Sequence, residues 1–366
     1  MDLAVAGLTF AISRRAAELG ASAGALGLLG SVWFAPYVLV ALVSGRLSDR
    51  YGRRRIALIA PFVTIAMTLA CAATTNVPLL IGWTAIFGVG LGFFWPPVMA
   101  WISDGAHGAA LHTRLTRFGV AWNIGLLTGF ALTGMVFQRW PAMAFGIPAV
   151  SIGVILVLLL LPARATDTSP DDKALPRVPS GRGFRKTAWL ANFGAQLATF
   201  GAVALFPQLA THLNVRADAH GALLAVGRGA ELLMIVALEL AMFWRVRLWP
   251  LWVAQLVGVG AAAMVGVVSG TWWFFVAFAL MGAVTGYSYQ ASIFFTLDEM
   301  SEKGKGTGLH EAFLAAGMLS GPLLAGLVGN LFGLRAPYFF CAAALACSVA
   351  AQVAMTGKLR FFGKKF

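Results

Sequence analysis

The sequence predicts an all-α membrane protein with twelve transmembrane helices arranged in two six-helix bundles. Of its 366 residues, 59% are hydrophobic and only 11% are charged, and its mean hydropathy is +0.81. A soluble domain carries about 25% charged residues, so this chain requires lipid as part of its solvent. The charged residues also stand between long uncharged runs, each sufficient for one or two membrane helices of about 20 residues.

The uncharged runs give the helices in order. A short first helix is expected to begin at the start Met and to end near Arg14 and Arg15. The later uncharged or nearly uncharged runs are 19–45, 56–103, 118–138, 140–163, 187–215, 221–244, 248–297, 312–334 and 336–357. The runs 56–103 and 248–297 carry turn signals near their middles, at Asn76-Val77-Pro78 and Ser269-Gly270, so each is predicted to form two helices. The N-terminus leaves two alternatives open, a cleaved signal peptide and a naturally longer start.

The basic residues are distributed unevenly between the connections. The net charge is +13, and 21 of the 27 Lys and Arg residues fall in alternate connections, on one side of the predicted membrane. Cytoplasmic connections carry such an excess, which predicts that both termini lie in the cytoplasm of the inner or plasma membrane. The same distribution accounts for the pI near 10.4 without nucleic-acid binding.

The connection between the second and third helices carries the most specific motif. Gly45–Arg55 reads GRLSDRYGRRR, a basic, Gly-containing hairpin between two hydrophobic spans. It resembles the G-x-L-x-D-R-x-G-R-R signature that follows the second helix of major facilitator superfamily transporters. The resemblance implies that Asp49 contacts the other half of the protein on the cytoplasmic side and keeps that side closed. A carboxylate near the start of the eleventh helix would also be stabilised by the helix dipole.

An internal repeat supports a duplicated architecture. Three glycine-containing patterns recur in order 192 to 197 residues later: Gly88, Gly92 and Asp104 as Gly282, Gly286 and Asp298; Gly125 and Gly129 as Gly317 and Gly321; Gly24 and Gly30 as Gly221 and Gly227. We therefore predict an N-terminal bundle at 1–162, a cytoplasmic linker at 163–186 and a C-terminal bundle at 187–366. The two bundles are expected to be related by an axis along the membrane normal, around a central cavity.

Ionisable residues within the eighth span are the strongest candidates for chemistry. Glu231 lies roughly 16 Å into that span, near the bilayer midplane, where charged groups usually face a wet cavity or are paired. Arg228 is three residues earlier on the same helix face, so an internal ion pair is geometrically easy. Glu231 is predicted to bind a cationic solute or a proton, with a purely structural pair as the alternative. Glu239, nearer the cytoplasmic end, is expected to pair with a loop Arg.

Uncharged polar and aromatic residues at membrane depth complete the predicted substrate site. They are Asn123, Asn192, Gln196, Tyr287, Gln290, Trp33 and Tyr37. Interhelical hydrogen bonding is the alternative explanation for the amides.

The predicted cytoplasmic gate combines the hairpin with the facing ends of the fifth and eleventh spans. It comprises Asp49, Arg50, Arg53, Arg54, Asp104, Arg114, Arg117, His310 and Glu311. His310 and Glu311 are predicted to pair with Arg114 or Arg117, and His310 also titrates near physiological pH, which suits proton coupling. Helix-start capping is the alternative role of Glu311.

Together these features predict a monomeric secondary active transporter that moves a small organic solute by alternating access. Proton-coupled efflux is the first interpretation, and uptake or facilitated diffusion of a sugar or organic anion is the alternative. No catalytic motif or metal-ligand spacing is found in the sequence, so we predict no enzyme activity, no metal and no cofactor. The partners expected are the solute, protons and the bilayer, without nucleic acid.

Overall fold

The computed structural model of the protein describes residues 1–104, 108–161, 183–241, 243–300 and 303–356, and their regular structure is entirely helical. The helices of the first half are α1 Asp2–Glu18, α2 Ala23–Tyr51, α3 Arg53–Ala73, α4 Val77–Ser103, α5 Gly108–Arg139 and α6 Met143–Leu160. Those of the second half are α7 Arg185–His212, α8 Ala217–Leu240, α9 Trp249–Val267, α10 Thr271–Glu299, α11 Lys303–Phe332 and α12 Ala336–Thr356. Eleven helices in this described part are long and apolar enough to cross a membrane, and α1 is shorter, with 17 residues. The predicted all-α, twelve-helix fold is confirmed.

Both predicted turns divide the long apolar runs. α3 ends at Ala73 and α4 begins at Val77, where the side chain of Asn76 accepts a hydrogen bond from the backbone N–H of Leu79 at 3.2 Å. This is an N-cap, and Pro78 in the first turn of α4 needs no intrahelical donor. In the second half Gly270 directly precedes α10.

The basic hairpin depends on a glycine at its bend. Gly52 has φ of +95° and separates the end of α2 at Tyr51 from the start of α3 at Arg53. Side-chain-bearing residues rarely adopt this backbone conformation, so the glycine in the motif has a local steric reason.

The chain divides into two compact units. The first comprises Met1–Gly20 with Ser31–Arg177, and the second comprises Ala21–Gly30 with Val178–Phe366. The first turns of α2 thus belong to the second unit, where the backbone N–H of Gly24 donates to Oδ1 of Asn330 in α11 at 2.9 Å. Most of the predicted linker lies outside the described residues, and α7 begins at Arg185.

Equivalent glycines make equivalent helix crossings within each unit. In the first unit, a Cβ added to Gly88 of α4 would lie 2.0 Å from the carbonyl oxygen of Trp33 in α2. In the second, a Cβ added to Gly282 of α10 would lie 1.9 Å from the carbonyl oxygen of Gly227 in α8. Both members of the second pair come 194 residues after those of the first. The predicted correspondence of Gly88 with Gly282 therefore appears as a repeated backbone contact, of the kind that small residues permit between membrane helices. In this contact the counterpart of Gly227 is Trp33 and not Gly30, with which the sequence repeat paired it.

A buried amide network holds α9 and α12 together inside the second unit. Nε2 of Gln352 donates to Oε1 of Gln255 at 2.6 Å and to the hydroxyl of Ser348 at 3.1 Å. Nε2 of Gln255 donates in turn to the carbonyl oxygen of Ala191 in α7 at 2.8 Å. Gln255 and Gln352 are fully buried, so their hydrogen bonds replace those that water would make.

The outer surfaces of the helices are apolar. Large hydrophobic side chains are well exposed on α2, α6 and α8, among them Leu39, Leu158 and Leu233. Such a surface is unsuitable for water and matches a lipid environment.

Candidate functional site

The structure forms the predicted ion pair on α8. Nη1 of Arg228 lies 2.6 Å from Oε2 of Glu231, and the two side chains are 16% and 12% exposed. Residues three apart face each other on one side of a helix, which explains the short distance. The guanidinium also lies over the ring of Phe200 in α7, 5.4 Å from its centroid. An aromatic face stabilises a cation in this position, so the site combines two charges and a π surface.

This ion pair leaves hydrogen-bonding capacity unused. Among the described residues, Nε and Nη2 of Arg228 and Oε1 of Glu231 make no hydrogen bond. A guanidinium has five N–H donors and a carboxylate has about four acceptor positions. Because neither side chain is fully enclosed, the pair can bind a further group.

Glu239 and Gln290 form a separate polar contact, with Glu239 about two turns beyond Glu231 along α8. Nε2 of Gln290 donates to Oε1 of Glu239, and Nη2 of Arg245 lies 3.5 Å from Oε2 of the same carboxylate. The predicted pairing of Glu239 with a loop arginine is therefore present. The amide of Gln290, a predicted solute contact, is thus already hydrogen-bonded to Glu239.

Asn192 and Gln196 share one buried face of α7, as their spacing predicted. Nε2 of Gln196 is 3.5 Å from Oδ1 of Asn192, and among the described residues Nδ2 of Asn192 and Oε1 of Gln196 have no hydrogen-bond partner. Exchanging the two ends of both amides would still leave one donor and one acceptor unpaired. The two amides therefore form a buried polar pair in the second unit, with one donor and one acceptor left without a hydrogen bond among the described residues.

Tyr287 and Tyr289 lie in different environments although they are close in sequence. Tyr287, a predicted solute contact, packs with Trp244 and Phe295 in an apolar cluster. Tyr289, which the sequence analysis did not select, lies within the electrostatic range of both Glu231 and Glu311. It also makes an edge-to-face contact with the ring of His310 at 5.1 Å. Tyr289 therefore packs against the start of α11 and lies close enough to the ion pair of α8 to be affected by its charge.

Two hydrogen bonds set the register that brings Tyr289 to this position. The hydroxyl groups of Thr199 and Thr285 are 2.8 Å apart, and Nε1 of Trp189 donates to the hydroxyl of Thr296 at 2.7 Å. They align α7 and α10 in opposite directions. Thr199 lies on the same polar face of α7 as Asn192 and Gln196. The helical spacing of these three residues could have identified Thr199 from the sequence.

His310 and Glu311 diverge in the structure. His310 is fully buried, and its Nδ1 lies 2.8 Å from the hydroxyl of Ser292 in α10. The Glu311 side chain is 64% exposed, with Oε1 3.9 Å from Nε2 of His310. The Glu311 carboxylate is therefore accessible to other groups, whereas the His310 ring is enclosed. Their pairing with Arg114 or Arg117 stays a prediction.

The charged residues of the basic hairpin form a local network in the first unit. Arg53 lies between two carboxylates, with Nη1 3.0 Å from Oδ1 of Asp49 and Nε 2.6 Å from Oδ2 of Asp104. Arg114 donates to the backbone carbonyl oxygen of Asp104 at 3.0 Å. The hairpin, the end of α4 and the start of α5 are thus tied by charge-assisted bonds.

The other arginines of the predicted gate lie outside this network in the part of the chain that the structure describes. Nε of Arg54 donates to the carbonyl oxygen of Leu159 in α6. Arg50 lies over the ring of Tyr51 at 5.3 Å, and Arg117 is exposed. Arg54 thus fixes α3 to α6, which is a structural role.

The predicted solute contacts of the first unit are held by their own helices. Nδ2 of Asn123 donates to the carbonyl oxygen of Gly119 at 3.0 Å. Trp33 stacks on Phe34 with ring centroids 3.8 Å apart and contacts Tyr37 at 6.2 Å. In the described residues of both units, no three His, Cys, Asp or Glu side chains are grouped as metal ligands.

Comparison with known proteins places this architecture in a family. Residues 1–226 match the model of the Major Facilitator Superfamily. The crystal structure of the nucleoside transporter NupG superposes with a TM-score of 0.70 at 13% identity, covering 97% of this chain and 98% of that chain. At this identity the likeness shows the fold.

Curated relatives match over shorter stretches. The lincomycin resistance protein of Streptomyces lincolnensis is 34% identical over 126 residues, 33% of this chain and 25% of that protein. The 3-(3-hydroxy-phenyl)propionate transporter of Escherichia coli is 28% identical over 259 residues, 65% of this chain and 61% of that protein. The chain therefore spans about a quarter of the first relative's length and less than two thirds of the second's.

Proposed function

Because this chain belongs to the major facilitator superfamily, we propose that it is a secondary active transporter that moves a small organic solute across the inner or plasma membrane by alternating access. Transport is coupled to protons, and its direction is efflux. The protein acts as a monomer with both termini in the cytoplasm. The positive-inside distribution of its Lys and Arg residues supports this orientation.

The observation that carries this proposal is the ion pair of Arg228 and Glu231 within α8. Two charged groups at membrane depth are costly, and proteins that keep them commonly use them to bind ions or solutes. The pair is 2.6 Å apart and mostly buried, yet open enough to be reached. We therefore place the exchange between proton and solute on the carboxylate of Glu231.

Coupling follows from competition at one carboxylate. An ionised Glu231 can bind the cationic group of a solute, whereas a protonated Glu231 cannot. A site that holds either the proton or the solute exchanges one for the other when it alternates between the two sides. Proton entry down its gradient then drives solute out. The name of the Streptomyces relative, a resistance protein, agrees with this direction.

Arg228 favours a second candidate, the uptake of an organic anion. Its unused donors can bind a carboxylate, and the Escherichia coli relative is named a 3-(3-hydroxy-phenyl)propionate transporter. In that case Glu231 would be protonated when the anion binds, and proton and solute would move together. The two candidates differ in the sign of the coupling.

Flux measurements in proteoliposomes test the proposal. A thermal-shift screen of solutes at two pH values selects the probe, and its flux is then measured with and without a proton gradient. We expect gradient-driven efflux that Glu231→Gln abolishes while folding is kept. Glu239→Gln is the matched control on the same helix, because that side chain is 58% exposed and lies outside the proposed site. Unchanged flux in Glu231→Gln would remove the assignment, and co-directional movement of proton and solute would favour the second candidate.

A further inference from the structure

The charge balance of the α8 ion pair restricts the class of solute. Arg228 and Glu231 neutralise each other, and separating a largely buried pair leaves two uncompensated charges. A monovalent cation bound at Glu231 would give the neutral, largely buried pair a net positive charge, since arginine stays protonated in proteins. A monovalent anion bound at Arg228 would give it a net negative charge unless Glu231 takes a proton. Among charged solutes, one that carries both charges keeps the site neutral while it contacts both side chains.

From this balance we infer that the substrate is a zwitterion of the amino-acid type, with its carboxylate on Arg228 and its ammonium on Glu231. This inference rests on the proposed transport function and adds the chemical class of its substrate. The charged atoms of the pair are 2.6 Å apart, so the two partner groups of the solute must be adjacent, as they are on one α-carbon. A planar guanidinium suits a carboxylate because it can donate two parallel hydrogen bonds.

The surroundings of the pair specify the rest of the solute. Phe200 lies under the guanidinium with 5.4 Å between the charge centre and the ring centroid. An apolar or aromatic side chain on the solute would pack beside this ring, which gives an additional contact. The preferred solute is therefore an α-amino acid or a close analogue with an apolar side chain.

Few other charged or titratable groups face Glu231 from the helices around it. The neighbouring group on α8 itself is Arg228. On α10 it is Tyr289, which lies within the electrostatic range of Glu231 and of Glu311 in α11. α7 contributes Phe200, whose ring lies against Arg228. The charged or titratable residues at the ends of α7 are Arg185 and Lys186 in its first turn and His212 at its last residue. Arg228 is thus the dominant partner, and a proton on Glu231 competes with the ammonium group of the solute.

Three probes that share a phenylethyl group separate the classes. L-phenylalanine carries both charges, phenethylamine carries only the ammonium, and 3-phenylpropionate carries only the carboxylate. Binding to the purified full chain is measured by thermal shift and calorimetry at millimolar probe concentration, at neutral and acidic pH. We expect L-phenylalanine to bind at least about tenfold more tightly than either singly charged probe, because each charged contact contributes roughly that factor.

Variants of the two charged residues test the orientation of the solute. Arg228→Gln should abolish the preference for L-phenylalanine over phenethylamine, and Glu231→Gln should abolish its preference over 3-phenylpropionate. Arg216→Gln is the matched control, because that arginine is exposed and paired with Asp218. The control should leave the order of the three probes unchanged.

The outcomes distinguish this inference from the proposed function. Tightest binding of 3-phenylpropionate at acidic pH would overturn it in favour of an anion with a proton, and tightest binding of phenethylamine would overturn it in favour of a simple cation. Binding of none of the three would overturn the α-amino-acid class with its apolar side chain. Binding is measured without a gradient, so a zwitterion that binds but is not moved by protons would contradict the coupling alone.

Discussion

The backbone carbonyl oxygen of Glu231 lies against Gly286, where an added Cβ would be only 2.5 Å away. The helix that carries the proposed solute site is therefore in backbone contact with α10 at the level of that site. Small residues at such a crossing allow the close packing that stabilises membrane helices.

Gly286→Ala should separate α8 from α10 at the site. The added methyl group collides with backbone, which cannot rotate away, so we expect a loss of about 1–3 kcal/mol in stability. The midpoint of thermal unfolding in detergent measures this loss. Gly260→Ala in α9 is the matched control, because a Cβ there meets nothing within 4 Å. Equal stability of the Gly286 and Gly260 variants would show that the two helices separate readily.

Arg228 and Glu231 should stabilise the folded protein as a pair, so removing one charge should lower its stability. Glu231→Ala leaves the guanidinium without its 2.6 Å partner, and we expect destabilisation of about 3 kcal/mol. The exchanged pair Arg228→Glu with Glu231→Arg restores neutrality and should recover much of the thermal stability. It should not recover solute binding, because the two charges are then in the wrong order. If the exchanged variant were as unstable as Glu231→Ala, the pair would not be an independent unit.

Asp49→Asn should shift the protein toward its inward-open state. The family signature implies that this carboxylate keeps the cytoplasmic side closed, and its side chain is 67% exposed while it contacts Arg53. Arg53 keeps Asp104 in the variant, so the fold should be unaffected. The measurement is the labelling rate of single cysteines on the cytoplasmic side, after replacement of the exposed Cys347. Asp218→Asn in the first turn of α8 is the control, and identical labelling in parent and Asp49→Asn would contradict the switch role.

Much of the fold could be predicted from the sequence because its signals are local. Asn76 caps a helix through its own side chain, and Gly52 allows a bend that other residues resist. The ion pair of Arg228 and Glu231 was also accessible, since helical spacing alone makes the two side chains neighbours. The repeat of Gly88 as Gly282 appears as a backbone contact in each unit for the same reason, because it depends on one missing side chain.

The rest of the site depends on how one helix aligns with another. Tyr289 and Phe200 reach the ion pair region only through the registers of α7, α8 and α10, which tertiary contacts such as that of Thr199 with Thr285 establish. No spacing within a single helix reveals those registers. The buried partners Gln255 and Gln352 were missed for a related reason, because they lie 97 residues apart in otherwise apolar helices.

The amide pair of Gln255 and Gln352 gives a final test of how the second unit is held together. Gln352→Leu removes the donor to Oε1 of Gln255 and leaves that buried oxygen without a partner, which should cost about 1–3 kcal/mol. Replacing both glutamines by leucine removes the unsatisfied group as well, so the double variant should be less destabilised than the sum of the two single variants. A double-mutant cycle of thermal unfolding measures the difference. Additive losses would show that the two side chains contribute separately, and that the hydrogen bond between them does not join α9 to α12.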